Sequence, residues 1–326
     1  MAQPVVMTEI WRGDFLESVH TGHAVVCDEA GEIVAAWGDP DRTVLSRSSS
    51  KMIQALPLIN SGAADQAGLT SEHLALACAS HNGAAIHTER VRNWLQTLGL
   101  DDDALRCGPQ EPQDQTARDG LICAGESPCQ HHNNCSGKHT GFLTLNRHLG
   151  GGAEYIDADH PVQKAVLESF ERVTDETSPG YGIDGCSAPN FAGSLNGMAR
   201  AMAHFAASPD GSAEARLREA MCLHPELVAG EGRACTGLMR AMNGRVALKT
   251  GAEGFFTAII PEKKMGVALK ISDGTTRASE CVIAAILVKL GVLEPDHPET
   301  LRYMNAPITN RAGRQTGWIR PAQELH

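Results

Sequence analysis

Aromatic side chains are scarce, at 4% of 326 residues, so neither base-stacking surfaces nor aromatic cages are expected. Positive charge is also short. Lys and Arg number 28 against 39 Asp and Glu, leaving a formal net charge of −11. Such a surface repels a phosphate backbone on average and no basic patch stands out, so no nucleic-acid partner is expected. No apolar run approaches the ~18 residues of a membrane span. The opening stretch, MAQPVVMTEIWRGDF, has neither a basic n-region nor an apolar h-region. It therefore reads as no signal peptide, with no membrane partner and a cytoplasmic location by default.

What is present is ample apolar material. Hydrophobic residues make up 42% of the chain, enough for one large domain or two modest ones. Ten cysteines, at 27, 78, 107, 123, 129, 135, 186, 222, 235 and 281, are scattered along the chain. Without a secretory signal they are expected as reduced thiols, most of them small buried hydrophobes.

The first fifty residues read as β-structure. Runs at 23–27 and 32–37 flank Asp28-Glu-Ala-Gly31, a hairpin signature. A helix is expected from Ser48 towards Gly62, with Pro57 as a possible kink. From there to about residue 244 the periodicity is mostly helical, clearest at 87–98, 161–173 and 213–223. Loops are expected at 107–137 and 178–193, long enough to carry function. Strands return at 245–249, 255–260 and 266–271, followed by an apolar helix at 278–290 and a polar tail, 304–326, covering a surface. The expectation is an α+β chain, a single catalytic domain over 1–326. Its mainly antiparallel sheet is built from both termini (1–47 plus 245–326), and a helical lobe (48–244) is inserted between them. A cleft between the lobes is the default site.

Three short motifs carry candidate chemistry. In Ser48-Ser-Ser-Lys51 a helical spacing of three puts Ser48 and Lys51 on one face. A serine hydroxyl attacks well only if a neighbour takes its proton, and lysine can do so only when neutral. Ser80-His-Asn82 ends the apolar run 74–79, and Lys249-Thr-Gly251 closes the run 246–248. Taken alone, S-x-x-K is equally a polar first helical turn with a capping serine. In chain order, S-x-x-K, S-x-N and K-T-G resemble the penicillin-recognising serine hydrolases: β-lactamases, penicillin-binding proteins and serine glutaminases. That pattern implies a second lysine on a strand facing the first serine. It also implies an oxyanion-hole N–H from the residue after the glycine, here Ala252.

Longer strings are more specific. Asn133-Asn-Cys-Ser-Gly-Lys-His139, Tyr181-Gly-Ile-Asp-Gly-Cys186 and His224-Pro-Glu-Leu-Val-Ala-Gly-Glu-Gly-Arg233 closely resemble the Rhizobium etli-type (class 3) L-asparaginases. Arg47-Ser-Ser-Ser-Lys51, Cys78-Ala-Ser-His81 and Lys249-x-Gly-Ala252 extend the likeness over most of residues 15–275. The resemblance implies a serine β-lactamase-like fold, a homodimer, and hydrolysis of L-asparagine to L-aspartate and ammonia. It implies two Ser–Lys tandems, Ser48 with Lys51 and Ser80 with Lys249. Ser48 is taken as nucleophile and Lys51 as its base, with Ser80 and Lys249 relaying protons to ammonia. The inverted assignment, Ser80 attacking, stays open. It also implies a zinc ion held by Cys135, Lys138 and Cys186. Without the likeness, two buried cysteines beside a surface lysine is the favoured reading. Asp184 is a candidate for the substrate ammonium, and Arg47 and His139 for its carboxylate or orientation; each is equally a loop-stabilising hydrogen bonder. Glu231 and Arg233 read as a structural ion pair, and His131 and His132 have no place in the likeness. Two other readings stand beside this one: a serine glutaminase or β-lactamase-like amide hydrolase, and a zinc-stabilised amino-acid-binding module without catalysis.

Overall fold

The computed structural model describes residues 2–325. Its strands are β1 (Val5–Arg12), β2 (Phe15–Cys27), β3 (Ile33–Trp37), β4 (Thr43–Leu45), β5 (Tyr181–Ile183) and β6 (Pro189–Ser194). They continue with β7 (Ala247–Thr250), β8 (Phe255–Ile260), β9 (Met265–Ile271), β10 (Ala306–Thr309) and β11 (Gln315–Pro321). The chain divides into two units: Met1–Ser49 with Gly193–Ala207 and Gly237–His326, and Ser50–Ala192 with Ser208–Thr236.

The first unit is an antiparallel sheet drawn from both ends of the chain, in the order β10-β11-β1-β2-β9-β8-β7, with β3 also pairing β2. The loop from β2 to β3 closes because Asp28 Oδ1 accepts the amides of Ala30 and Glu32, while Gly31 sits at φ 80°. Strand β8, Phe-Phe-Thr-Ala-Ile-Ile, is buried at every position, so both faces of the sheet are covered there. The covers are the helices Leu195–Ala207 and Thr276–Lys289, whose apolar side chains are buried almost throughout. Gly266 lets the first of them sit directly on β9: a Cβ there would lie 2.1 Å from Ala203 N. That helix therefore belongs with the sheet, beyond the expected 1–47 and 245–326. The tail differs from its expectation as well. Instead of lying over a surface, β10 and β11 extend the sheet past β1, with Ile10 opposite Ile319. Its polar composition follows from an edge strand with alternate residues exposed.

The second unit is helical, with the β5–β6 hairpin inside the segment expected as the loop 178–193. The loop expected at 107–137 contains a helix, Gln115–Ala124, capped by Asp114 Oδ1 accepting from Ala117 N at 2.8 Å. None of its residues is buried, so no apolar period betrays it. The helix expected from Ser48 is broken into a 3₁₀ turn, Arg47–Ser50, and the helices Lys51–Gln54 and Leu56–Asn60. Pro57 has no N–H to give to the carbonyl four residues back, which interrupts the ladder at Ala55. The helices Ser71–Ala77 and Ser136–Leu149 approach backbone to backbone, since a Cβ at Gly137 would lie 2.4 Å from Leu76 O. All ten cysteines are free thiols. Among the described residues no helix is long and apolar enough to cross a membrane.

Candidate active site

Lys51 and Ser80 meet in the second unit. Lys51 is 1% exposed and Ser80 6%, and Lys51 Nζ lies 3.0 Å from Ser80 Oγ. The other donors of the ammonium reach Ala79 O and, at 3.5 Å, Asn134 O. Three acceptors match three N–H bonds, so a buried lysine is held without a carboxylate partner. Loss of one proton would turn the Ser80 contact round, with the hydroxyl donating to the amine. That is the arrangement a serine needs to become nucleophilic or to pass on a proton.

The geometry behind the pair comes from the long strings. Ser80 N donates to Val228 O at 2.8 Å, which seats the His224–Arg233 string beside it. Gly230, at φ 108°, packs so tightly on Asn82 that a Cβ would lie 2.4 Å from its side chain. Asn134 O accepts the His81 amide at 3.2 Å as well as Lys51, and Ser136 Oγ meets His81 Nε2 at 2.9 Å. His81 stacks on His87 and is held neutral, its pKa pushed far down by burial first and then by the neighbouring His87 and Lys51 charges. Arg233 hydrogen-bonds Gln113.

Ser48 and Lys249 belong to the first unit. Of the three serines in the turn, Ser49 and Ser50 are buried while Ser48 is half-buried. Ser49 Oγ donates to Lys249 O at 3.0 Å, and no hydrogen bond engages the Ser48 hydroxyl among the described residues. Arg47, immediately before it, has φ 51°, a left-handed conformation that costs a non-glycine L-residue roughly 1 kcal/mol or more. Gly251 lets the end of β7 press on this turn: a Cβ would lie 2.7 Å from Ser46 O and 2.8 Å from Ser49 Oγ. Lys249 is 1% exposed, and its Nζ donates to Thr250 O at 2.8 Å. Ala252 follows in an exposed bend.

A sulfur cluster lies in the second unit. Lys138 Nζ is 3.0 Å from Cys186 Sγ, and both are nearly fully buried. Cys135, the cap of the helix Ser136–Leu149, donates its thiol to Asn134 Oδ1 at 3.0 Å and lies beside Cys186. That neighbour and burial push the Cys135 thiol up, while Cys135 and then Lys138 and His139 hold the Cys186 thiol well below its ordinary range. Of the two thiols Cys186 ionises the more readily, and the Lys138 amine faces it at 3.0 Å. Burial pulls Lys138 down, but Cys186 and Cys135 outweigh it and hold the ammonium above its usual range. His139 donates or accepts through Nδ1 with Tyr155 OH at 2.9 Å, and burial lowers its pKa to about 4. Its Nε2 is buried and meets no hydrogen-bond geometry, but the ring lies close enough to Cys186 for the sulfur to oppose the effect of burial. Asp184 caps its own turn, Oδ1 accepting from Gly185 N at 2.8 Å, and its charge reaches Lys138. Sequence reasoning missed Tyr155 and Cys107, the latter a buried thiol pushed to about 12 by burial and then by Cys186. No motif marks either; only the fold brings them to Cys186.

The model of the family described as L-asparaginase II matches residues 8–321. No curated protein matches the chain. Among solved structures, Mglu in its native form is 12% identical, with TM-score 0.47, covering 84% of this chain and 66% of its own. A putative beta-lactamase from Bacteroides dorei DSM 17855 is 12% identical, with TM-score 0.43, covering 78% and 87%. A beta-lactamase (Mb2281c) from Mycobacterium bovis is 12% identical, with TM-score 0.38, covering 82% and 94%. The chain thus spans about two thirds of the length of the Mglu chain.

Proposed function

The chain belongs to the L-asparaginase II family, and from that premise we propose that it is an amidohydrolase that converts L-asparagine to L-aspartate and ammonia. The observation that supports serine–lysine chemistry, whichever serine attacks, is the buried Lys51–Ser80 contact at 3.0 Å, in the same unit as the sulfur cluster. Ser48 Oγ attacks the side-chain carbonyl carbon while Lys51, neutral, removes its proton. The tetrahedral intermediate expels ammonia, which takes a proton relayed by Ser80 and Lys249. Water then hydrolyses the aspartyl ester and restores the serine. The unengaged Ser48 hydroxyl, next to a strained Arg47, favours it over Ser49 and Ser50. A second reading, in which Ser80 attacks, is favoured by its direct contact with Lys51.

Zinc is proposed at Cys135, Lys138 and Cys186. The donor chemistry fits: two sulfurs and an amine, with the His139 ring beside Cys186. Lys138 and Cys135 must shed protons first, so occupancy rises with pH. A bound ion there would orient the polar end of a substrate.

Ammonia release from L-asparagine, L-glutamine and a chromogenic β-lactam, assayed side by side, tests the assignment. L-Asparagine should be turned over fastest, and Ser48→Ala should abolish turnover while the protein melts as before. Preference for glutamine or the β-lactam would move the assignment to another amide. Stabilisation by L-asparagine without ammonia would leave a binding module.

A further inference from the structure

Among the described residues, one group of His, Cys, Asp and Glu side chains brings three donor atoms within 4.8 Å of one another: Cys129, His131 and His132. It is not the Cys135–Lys138–Cys186 set, and the family likeness leaves both histidines unaccounted for. The three residues ride on one 3₁₀ turn, Gln130–His132 with Cys129 as its cap. Cys129 Sγ lies 3.2 Å from His132 Nδ1, and on the His131 ring 3.2 Å from Nδ1 and 3.3 Å from Nε2. Tetrahedral zinc, with bonds of about 2.3 Å to sulfur and 2.05 Å to nitrogen, holds such atoms roughly 3.5 Å apart. The sulfur-to-nitrogen spacings are therefore near those of coordination, and a tilt of the His131 ring is what binding requires to turn its Nε2 lone pair to the ion.

A cap alone does not explain the turn. Its local needs are met by the Cys129 amide, which donates to His132 Nδ1 at 3.1 Å. His131 has in addition a carboxylate behind it. Asp102 Oδ1 lies 2.8 Å from His131 Nδ1 and accepts the His131 amide at 2.7 Å, while Oδ2 accepts the Gln130 amide at 3.0 Å. A carboxylate on Nδ1 fixes the proton there and leaves the Nε2 lone pair for a metal, the outer-shell arrangement that orients ligating histidines. All three ligands are partly exposed, so an ion can reach them.

We propose that Cys129, His131 and His132 form a second zinc site, with His131 oriented by Asp102 and water completing the tetrahedron. Binding releases the Cys129 thiol proton to solvent and exchanges the Cys129 amide on His132 Nδ1 for the metal. The ion fastens a turn that supports the candidate active site. Ser136 Oγ donates to His131 O at 3.0 Å and meets His81, the residue after Ser80, at 2.9 Å. The role is structural, and it stands whether or not the first zinc set binds.

The test is titration of the metal-stripped full-length protein with Co²⁺, followed by its thiolate charge-transfer band and by bound metal after gel filtration. Cys129→Ser and His132→Gln should each lose one equivalent that Cys135→Ser retains, and Asp102→Asn should weaken that equivalent about 10–100-fold. If Cys129→Ser alone fails to fold, His132→Gln and Asp102→Asn decide. Variants at all three positions that bind as much Co²⁺ as the native chain would overturn the site. So would a single native equivalent lost only in Cys135→Ser. A single equivalent lost in Cys129→Ser and kept in Cys135→Ser would support this site and remove the other.

Discussion

Replacing Lys51 by Met keeps most of the side-chain volume and removes the amine. Three contacts vanish: those to Ala79 O, to Ser80 Oγ and, at 3.5 Å, to Asn134 O. Asn134 O keeps the His81 amide as donor at 3.2 Å, so Ala79 O is the acceptor left short. One buried carbonyl without a partner costs about 1–3 kcal/mol. Relief of the buried charge's desolvation offsets part of that. At roughly 2–4 °C per kcal/mol, Tm should fall by less than about 10 °C. Activity should respond far more. Loss of a general base removes roughly 10²–10⁴ in rate, or about 3–5 kcal/mol of transition-state stabilisation. Circular dichroism melts and ammonia release from one preparation separate the two effects. A Lys51→Met protein that releases ammonia within tenfold of the native rate refutes the role given to this amine.

Three other expectations follow from the same geometry. Ser49→Ala removes a hydroxyl bonded to Lys249 O, so it should cost about 0.5–1.5 kcal/mol in a denaturant melt. It should keep turnover within tenfold, and loss of turnover equal to that of Ser48→Ala would show that the wrong serine was chosen. Gly137→Val puts a Cβ 2.4 Å from Leu76 O, a backbone atom that cannot rotate away, so it should destabilise by about 1–3 kcal/mol or more. An unchanged melting temperature would mean the two helices are further apart. His81 and His87 both have lowered pKa values, burial being the first cause. A group lowered in the folded state contributes stability that is whole above the unfolded value, near 6.5, and is lost as pH falls below it. Tm should therefore decline on acidification from pH 7, and less steeply in His87→Gln. Identical slopes would remove the buried histidines from the account.

Much of the sheet was legible because its strands announce themselves. Val25, Val26, Phe255, Phe256 and Ile259 are branched or aromatic, clustered, and wholly buried. The polar C-terminal strands were not, since β10 and β11 read as a tail until β1 is beside them. Within the candidate site, Lys51, Ser80, Lys138 and Cys186 were legible from motif strings. The partner each one takes was not: the 3.0 Å contact of Lys51 is with Ser80, 29 positions away. Spacing along a helix could not announce it, because Pro57 and the 3₁₀ turn at Arg47–Ser50 break the helix that the spacing assumed. Tyr155 and Cys107 had no local signal at all. Their place beside His139 and Cys186 is a product of tertiary packing.

The central claim is covalent catalysis by a serine that a lysine activates. Acid quenching during turnover of L-asparagine, followed by mass spectrometry of the digested protein, tests it most directly. The expected result is an aspartyl ester on the peptide carrying Ser48, absent from Ser48→Ala. Rapid ammonia release with no acyl adduct on Ser48 or Ser80, and undiminished release by the Ser48→Ala/Ser80→Ala double variant, would contradict it.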